Sequence, residues 1–446
     1  MKECRYDAVV IGAGAAGMAS ALSLSKRGHS CVLVDREEDL GGILLQCVHN
    51  GFGLQHFGEE LTGPEFASRF EREVLAAGIP FLSGTTVLSI ERKKAEDGNG
   101  ESFSLLLSSG ANGVIRVTSS AVILAMGSRE RNRGNIRIAG DRPSGVFTAG
   151  LVQHLLNIDG YVPGKRAVII GSGDIGLIMA RRLTLSGVKV GAVVEIQSFP
   201  SGLTRNIVQC LEDFSIPLYL SHATLRISGK SRVTGIEVAP LENGAPRLEK
   251  SFQIPCDTVL LSVGLVCENE LSAKAGVALN PVTNGPLVDS HLMTSVPGIF
   301  ASGNVLHIHD LVDRVVEESS RAGSSCADWL DKLSAQTGTA IADLAVTTGG
   351  ANEILLRSGL NVRYTVPSSI DPLRTVRLSL RSMVVMDRGT LSLSIGGERV
   401  FEKKLLWVKP GEMISVDIPP LKESIPGDIK DGTFEVSLAR SEEVGA

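Results

Sequence analysis

Cys47 and His49 stand two residues apart shortly after Gly41-Gly42, and His307 and His309 form an H-x-H within the stretch GNVLHIHDLVD that opens at Gly303. A thiol beside an imidazole suits a one-cysteine redox residue with a proton donor, because the thiolate is the reactive form. Dithiol exchange needs a second, resolving thiol. The seven cysteines (Cys4, Cys31, Cys47, Cys210, Cys256, Cys267, Cys326) contain no C-x-x-C pair. Cys47 therefore reads either as a peroxidatic or sulfenic residue or as a small packing residue, and His49 either as a proton donor or as an ordinary loop histidine. The odd cysteine count and the spacing give no disulfide framework, no local zinc site and no ferredoxin-like cluster set. Two histidines are an incomplete ligand set, so no metal is expected at His307 and His309. Asp310 suits a helix N-cap, with Asp313 in the first turn.

The elements that must hold these groups are legible on either side of them. Residues 7–11 (DAVVI) read as a short buried strand, followed by Gly12-Ala13-Gly14-Ala15-Ala16-Gly17 and an Ala/Leu-rich helix that stops near Gly28. A second strand, 31–34, ends in Asp35, with Arg36 next. Strand, G-x-G-x-x-G, helix, strand and terminal acid in this order form a dinucleotide cradle. Gly12 permits the tight turn, Gly14 lets backbone approach a diphosphate, and Gly17 lets helix and strand pack. The helix N-terminus supplies N–H groups and the positive dipole end, and Asp35 accepts from a ribose.

The unit recurs. Strand 167–170 leads into Gly171-Ser172-Gly173-Asp174-Ile175-Gly176, a helix over 177–186, and a strand over 189–194 that closes on Glu195. Two cradles in one chain suit an enzyme that joins flavin to nicotinamide. Glu195 can hold a ribose 2′-hydroxyl but repels a 2′-phosphate, and no arginine occurs in 196–200, which favours NADH over NADPH. Three further segments end on glycine: strand 120–126, containing Ala125, runs into Gly127; strand 257–263 runs into Gly264; and 297–304 ends in Gly303-Asn304.

Together these motifs resemble the two-dinucleotide-binding flavoproteins, the superfamily of glutathione and thioredoxin reductases, over about residues 7–328. The resemblance implies an α/β fold of two Rossmann-like domains: an FAD domain from 1–152 and 285–335, with an NAD(H) domain over 153–284 inserted. It implies that the first cradle (Gly12, Gly14, Ala15, Ala16, Gly17, Asp35, Arg36, with Gly42, Ala125 and Gly127) binds FAD. The second (Gly171, Gly173, Asp174, Ile175, Gly176, Glu195, with Gly264) binds NAD(H), and Gly303-Asn304 touches the flavin side chain. The family's aspartate after that late glycine is Asn304 here, which brings no charge. The helix after His309 would face the flavin, giving His307 or His309 a flavin-side role. The family's redox cysteine pair is absent. From about residue 347 short alternating runs such as TVRLSL and TLSLSI, punctuated by Gly396-Gly397 and Pro410-Gly411, read as a small C-terminal all-β domain over 346–446.

A closer resemblance, carried by GGILLQCVHNGFGL, GDRPSGVFTAG, GSGDIGLIMARR, RNIVQCLEDFSIPLYLS and GNVLHIHDLVD, is to a subfamily encoded beside a second FAD enzyme similar to glycerol-3-phosphate or L-2-hydroxyglutarate dehydrogenase and a small cysteine-rich protein. It implies an FAD-dependent NAD(H) oxidoreductase that passes electrons within a multi-protein dehydrogenase, with an iron–sulfur protein among its partners. A stand-alone NADH oxidase or peroxidase using Cys47, and a non-catalytic FAD-bound scaffold, are the alternatives. The charge balance, 44 Lys+Arg against 49 Asp+Glu for a net −5 over 446 residues, offers no footprint for nucleic acid. Arg129, Arg131 and Arg133 read as a solvated loop or as a dock for an anionic substrate or acidic partner. The start is not a signal peptide and no apolar run is long enough to span a membrane, so a cytoplasmic location is expected.

Overall fold

The computed structural model describes residues 2–94, 101–335, 353–421 and 432–440. They fall into two compact units, the first comprising 1–45, 50–128 and 267–446, the second 46–49 and 129–266. No helix among the described residues is long and apolar enough to cross a membrane.

The first unit opens with strand β1 (Lys2–Ile11), helix α1 (Ala15–Lys26) and strand β2 (Cys31–Val34). Helix α2 (Gly63–Ala76) and strands β3 (Phe81–Leu82), β4 (Thr85–Lys94), β5 (Glu101–Ser109) and β6 (Gly113–Leu124) follow. The sheet order is β3-β2-β1-β6-β5-β4, parallel from β3 to β6 and antiparallel beyond. Both faces of the parallel part are covered, so β2 is buried along its whole length (Cys-Val-Leu-Val).

The second unit carries β7 (Val146–Thr148), α3 (Ala149–Asn157), β8 (Arg166–Ile170), α4 (Asp174–Leu185), β9 (Lys189–Val194) and β10 (Leu218–Tyr219). An antiparallel excursion follows, β11 (His222–Gly229), β12 (Val233–Glu242) and β13 (Phe252–Pro255), before the chain re-enters as β14 (Thr258–Leu261). The parallel sheet runs β7-β14-β8-β9-β10. By its contacts the second unit spans 129–266, where the sequence pattern gives 153–284. Strand β7 pairs with β14 and so belongs to the second sheet. At the other end the Asn269 amide donates to the carbonyls of Asn284, at 2.8 Å, and Val305, at 2.7 Å, tying the segment after 266 to the first unit.

Back in the first unit, β15 (Ile299–Ala301) pairs in parallel with β6 and completes the first sheet. Helix α5 (Val312–Ala335) lies along α1 so closely that a Cβ on Gly323 would sit 2.5 Å from the Ser20 carbonyl oxygen. Among the described residues the regular elements of the tail are all strands: β16 (Ile354–Ser358), β17 (Val362–Val366), β18 (Val376–Ser382), β19 (Met386–Ile395), β20 (Glu398–Val408), β21 (Met413–Ile418) and β22 (Phe434–Arg440). One sheet holds β16-β22-β19-β20 and the other β17-β18-β21, and their alternating apolar faces share a core that includes Leu378, Leu380, Leu391, Leu393, Phe434 and Val436. The runs TVRLSL and TLSLSI lie in β18 and β19 as the alternation requires. The first residues of the expected domain, 346–352, lie outside the described residues.

Candidate functional site

Strand register assembles the first cradle. Ile11 is level with Val34 and with Leu124, and Leu124 with Ala301. The residues that follow these four strand ends, Gly12, Asp35, Ala125 and Ser302-Gly303, therefore gather at one carboxyl edge, where ligands bind in open parallel sheets. Gly12 has φ +105, and a Cβ there would lie 2.2 Å from the Ala125 carbonyl oxygen. A Cβ on Gly17 would meet the Gly12 oxygen at 1.7 Å. The chain itself thus demands glycine at both positions. Gly14 is different, since its Cβ would meet nothing nearer than the Gly41 oxygen at 4.0 Å. Gly14 caps α1 without a side-chain partner, and no acid stands in the first turn. The open space over free helix N–H groups fits a diphosphate. Asp35 braces the turn from the side, with Oδ2 accepting from Ala13 N at 2.6 Å and Oδ1 from Glu37 N at 3.1 Å.

The neighbouring expectations fall around this cradle. Ala15, Ala16 and Ala125 are buried; a Cβ on Gly42 would approach Gly14 Cα to 3.1 Å, and one on Gly303 would approach Ala16 Cβ to 2.8 Å. The late glycine is thus packed on the start of α1. Gly127 has φ +72 in open space. Arg36 points to solvent beside Glu37. Asn304 Oδ1 accepts the His309 backbone N–H at 3.0 Å, which leaves its amide N–H groups as the donors it can offer a ligand.

The second cradle repeats the design. Ile170 is level with Val194 and Leu261, so Gly171, Glu195 and Ser262 meet at the sheet edge. Gly171 (φ +92) would place a Cβ 2.1 Å from the Ser262 oxygen and Gly176 one 2.6 Å from Ser262 Cβ, whereas the nearest atom to a Cβ on Gly173 is Ser262 Oγ at 3.3 Å. Glu195, 5% exposed, accepts from Ser172 N at 2.9 Å and Ser172 Oγ at 2.6 Å through Oε2, and from Gln197 N at 2.9 Å through Oε1. Oε1 keeps a lone pair for one ribose hydroxyl. Ser262, which the motifs alone do not single out, also accepts from Gly176 N at 3.0 Å; its signal in the sequence is its place at the end of the strand before Gly264. Gly264 (φ +95) accepts from Arg131 N at 3.0 Å, and Ile175 is half-buried in the first turn of α4. On the same edge, a cavity of about 350 Å³ is lined by Arg133, Arg142, Phe147, Leu151 and Leu261 among others. Arg133 donates to the carbonyls of Ile138, Ala139 and Asp141, so it shapes its own loop.

The four groups expected to do chemistry divide between the two units. Cys47 and His49 belong to the second unit. The Cys47 thiol lies 3.9 Å from Gln153 Oε1, and burial pushes it up to about 12. His307 and His309 belong to the first unit, with ring centroids 4.3 Å apart. Glu318, 3% exposed on α5, joins them: its carboxylate accepts from His307 Nε2 at 2.8 Å and from Gly303 N at 2.8 Å, and lies 3.4 Å from His309 Nε2. Burial opposes its charge, but the two histidines hold its carboxyl well below the usual range. Burial likewise holds His307 below the ordinary imidazole value, against the pull of Glu318. The two imidazole side chains are 0% and 2% exposed. Both rings lie behind the surface, and the triad pins the late glycine segment to α5. Nothing in the sequence pointed to Glu318, because its partners lie on the preceding loop.

Asp310 is not a cap. α5 begins at Val312, and Asp310 instead binds Arg381 and accepts from Met413 N at 2.7 Å, docking the β domain. Asp313 accepts from His56 N at 2.8 Å and Gly53 N at 3.2 Å.

Known proteins are similar to this chain in sequence and fold. The family model for pyridine nucleotide-disulphide oxidoreductases matches residues 6–325. The small chain of glutamate synthase [NADPH] from Escherichia coli is 25% identical over 363 residues, covering 74% of this chain and 70% of the relative. One of the subunits of opine oxidase from Agrobacterium tumefaciens is 25% identical over 378 residues, covering 79% and 69%. Among solved structures, T. acidophilum thioredoxin reductase superposes with TM-score 0.58 at 23% identity, over 74% of this chain and 99% of that one. That level of identity speaks for the fold. Two glycine cradles on two parallel sheets, and a family match over most of the chain, make this protein a member of the pyridine nucleotide-disulphide oxidoreductase family, whose members bind FAD and NAD(P)H.

Proposed function

We propose that the chain is an FAD-dependent NAD(H) oxidoreductase that serves as an electron-transfer component of a multi-protein dehydrogenase. The observation that carries the redox part is the contrast within each motif. Packing explains the first and third glycines, whereas a Cβ on the second would meet nothing nearer than 4.0 Å at Gly14 and, at Gly173, the Ser262 hydroxyl at 3.3 Å and its carbonyl oxygen at 3.7 Å, so the second glycine answers to a ligand. When bound, FAD exchanges a hydride with nicotinamide and passes electrons on singly or in pairs. The chain's part is to seat both diphosphates, to hold the riboses through Asp35 and Glu195, and to keep water from the buried triad.

All seven cysteines are free thiols. A Cys47 thiol held near 12 is a poor nucleophile, which speaks against dithiol exchange and against a peroxidatic Cys47. The role within a larger enzyme is supported by relatives that are themselves named as chains or subunits. A second FAD dehydrogenase and a small iron–sulfur protein are the partners proposed, with NADH favoured over NADPH.

Anaerobic titration tests the reading. NADH should bleach the yellow protein stoichiometrically, and ferricyanide should restore the colour, with no turnover of small disulfides. Failure of NADH to bleach the flavin would leave only a scaffold role.

A further inference from the structure

Asp174 presents a conflict that the structure resolves. It is the first residue of α4, at the helix end where the second cradle must accept the diphosphate. A carboxylate there competes for the same N–H groups and repels the ligand's charge. Its Oδ1 is turned aside, accepting from Asn206 Nδ2 at 2.7 Å and from Leu203 N at 2.8 Å. Asn206 is 9% exposed and sits in the short helix Thr204–Ile207.

The same bonds fasten the segment that follows Glu195. Ser201 N donates to Ser172 Oγ at 2.9 Å, and Ser172 Oγ donates to Glu195. Gly202 fits so tightly over the glycine turn that a Cβ would lie 2.9 Å from both the Ser172 carbonyl oxygen and Asp174 Oδ1. Residues just beyond the ribose-binding acid flank the adenosine half of a bound dinucleotide. These bonds hold the segment against the cradle, and a wall fixed by the chain's own contacts lowers the ordering cost of binding.

We infer that Asn206 is a positioning residue for the nicotinamide dinucleotide, drawing the Asp174 carboxylate off the diphosphate seat while it anchors the adenosine-side wall. This rests on the NAD(H) reading of the second cradle. Without Asn206 the carboxylate keeps one backbone donor and is free to swing to the helix end, where its charge meets that of the diphosphate.

The test is a double-mutant cycle on the FAD-loaded full chain, reading the dissociation constant for NAD⁺ by calorimetry. Asn206→Ala should weaken NAD⁺ about tenfold or more, since a unit charge pair is worth from about 1 kcal/mol in water to about 4 kcal/mol near a protein surface. Adding Asp174→Ala to Asn206→Ala should restore affinity to within about threefold of the parent. An Asn206→Ala protein that binds NAD⁺ like the parent, or a double variant as weak as the single, would overturn the inference. The first of those outcomes leaves the NAD(H) reading standing; a parent protein that binds no NAD⁺ removes that reading itself.

Discussion

Glu195 shows how much one side chain can be asked to do. It braces Ser172 with one oxygen and Gln197 with the other, and still has a lone pair to offer a ribose. A 2′-phosphate in that place would meet a buried negative charge. Glu195→Ala should therefore lower the NADH-to-NADPH preference, measured as the ratio of kcat/KM values, by about tenfold or more, mainly by weakening NADH. Cys47 is the opposite case. Its thiol lies 3.9 Å from Gln153 Oε1 and is pushed up to about 12 by burial, so Cys47→Ser should leave NADH-driven flavin reduction within about twofold of the parent by stopped-flow absorbance. The sequence placed Cys47 and His307 among residues able to do chemistry because their types allow it. It carried no sign of the desolvation that raises the Cys47 thiol and lowers the His307 imidazole.

At the scale of elements, the glycine motifs divide into a packing part and a binding part, and the two can be separated by substitution. Gly12→Ala forces a methyl within 2.2 Å of the Ala125 oxygen at a positive φ. It should cost about 2 kcal/mol or more in urea unfolding of the cofactor-stripped protein. Gly14→Ala adds a methyl to open space. The stripped protein should then melt within about 2 °C of the parent, since surface changes of this kind are near neutral, while FAD retention collapses. Equal destabilisation by both substitutions would show that the second glycine also serves packing. These motifs were legible because strand, turn and helix are contiguous in sequence. Ser262, Asn206 and Glu318 were not, because each reaches its cradle or loop from an element 11 to 86 residues away along the chain.

On the scale of the whole molecule, the β domain is fastened to the first sheet's layer through polar contacts. Arg381 binds Asp310 and the Ile308 carbonyl, and Glu353 binds Ser290, next to Asp289. Burial and the neighbouring Glu353 raise the Asp289 carboxyl to about 7, although the N–H groups of Met293 and His291 favour its charge. Burial raises the Glu353 carboxyl too, against the hydrogen bonds of Ser290 and Ser369. A folded-state value above the unfolded one means that the native protein holds the proton more tightly. The stabilisation is full below about pH 4 and is lost as pH rises through 7. Thermal melts should accordingly decline from about pH 5 to about pH 8, and Asp289→Asn, which keeps the acceptor for both backbone N–H groups, should flatten that decline and melt about 3 °C or more above the parent at the upper end. A parallel decline in both proteins would assign the pH effect elsewhere.

The sequence by itself determined the two cradles, the strands and helices that carry them, and the alternating character of the tail, because each depends on residues within a few positions of one another. Only the tertiary structure decided where the units divide, that Asp310 clamps a neighbouring domain, and that a carboxylate from α5 buries both histidines. Those outcomes depend on desolvation and on charges brought together from distant segments, and spacing along a chain does not encode either.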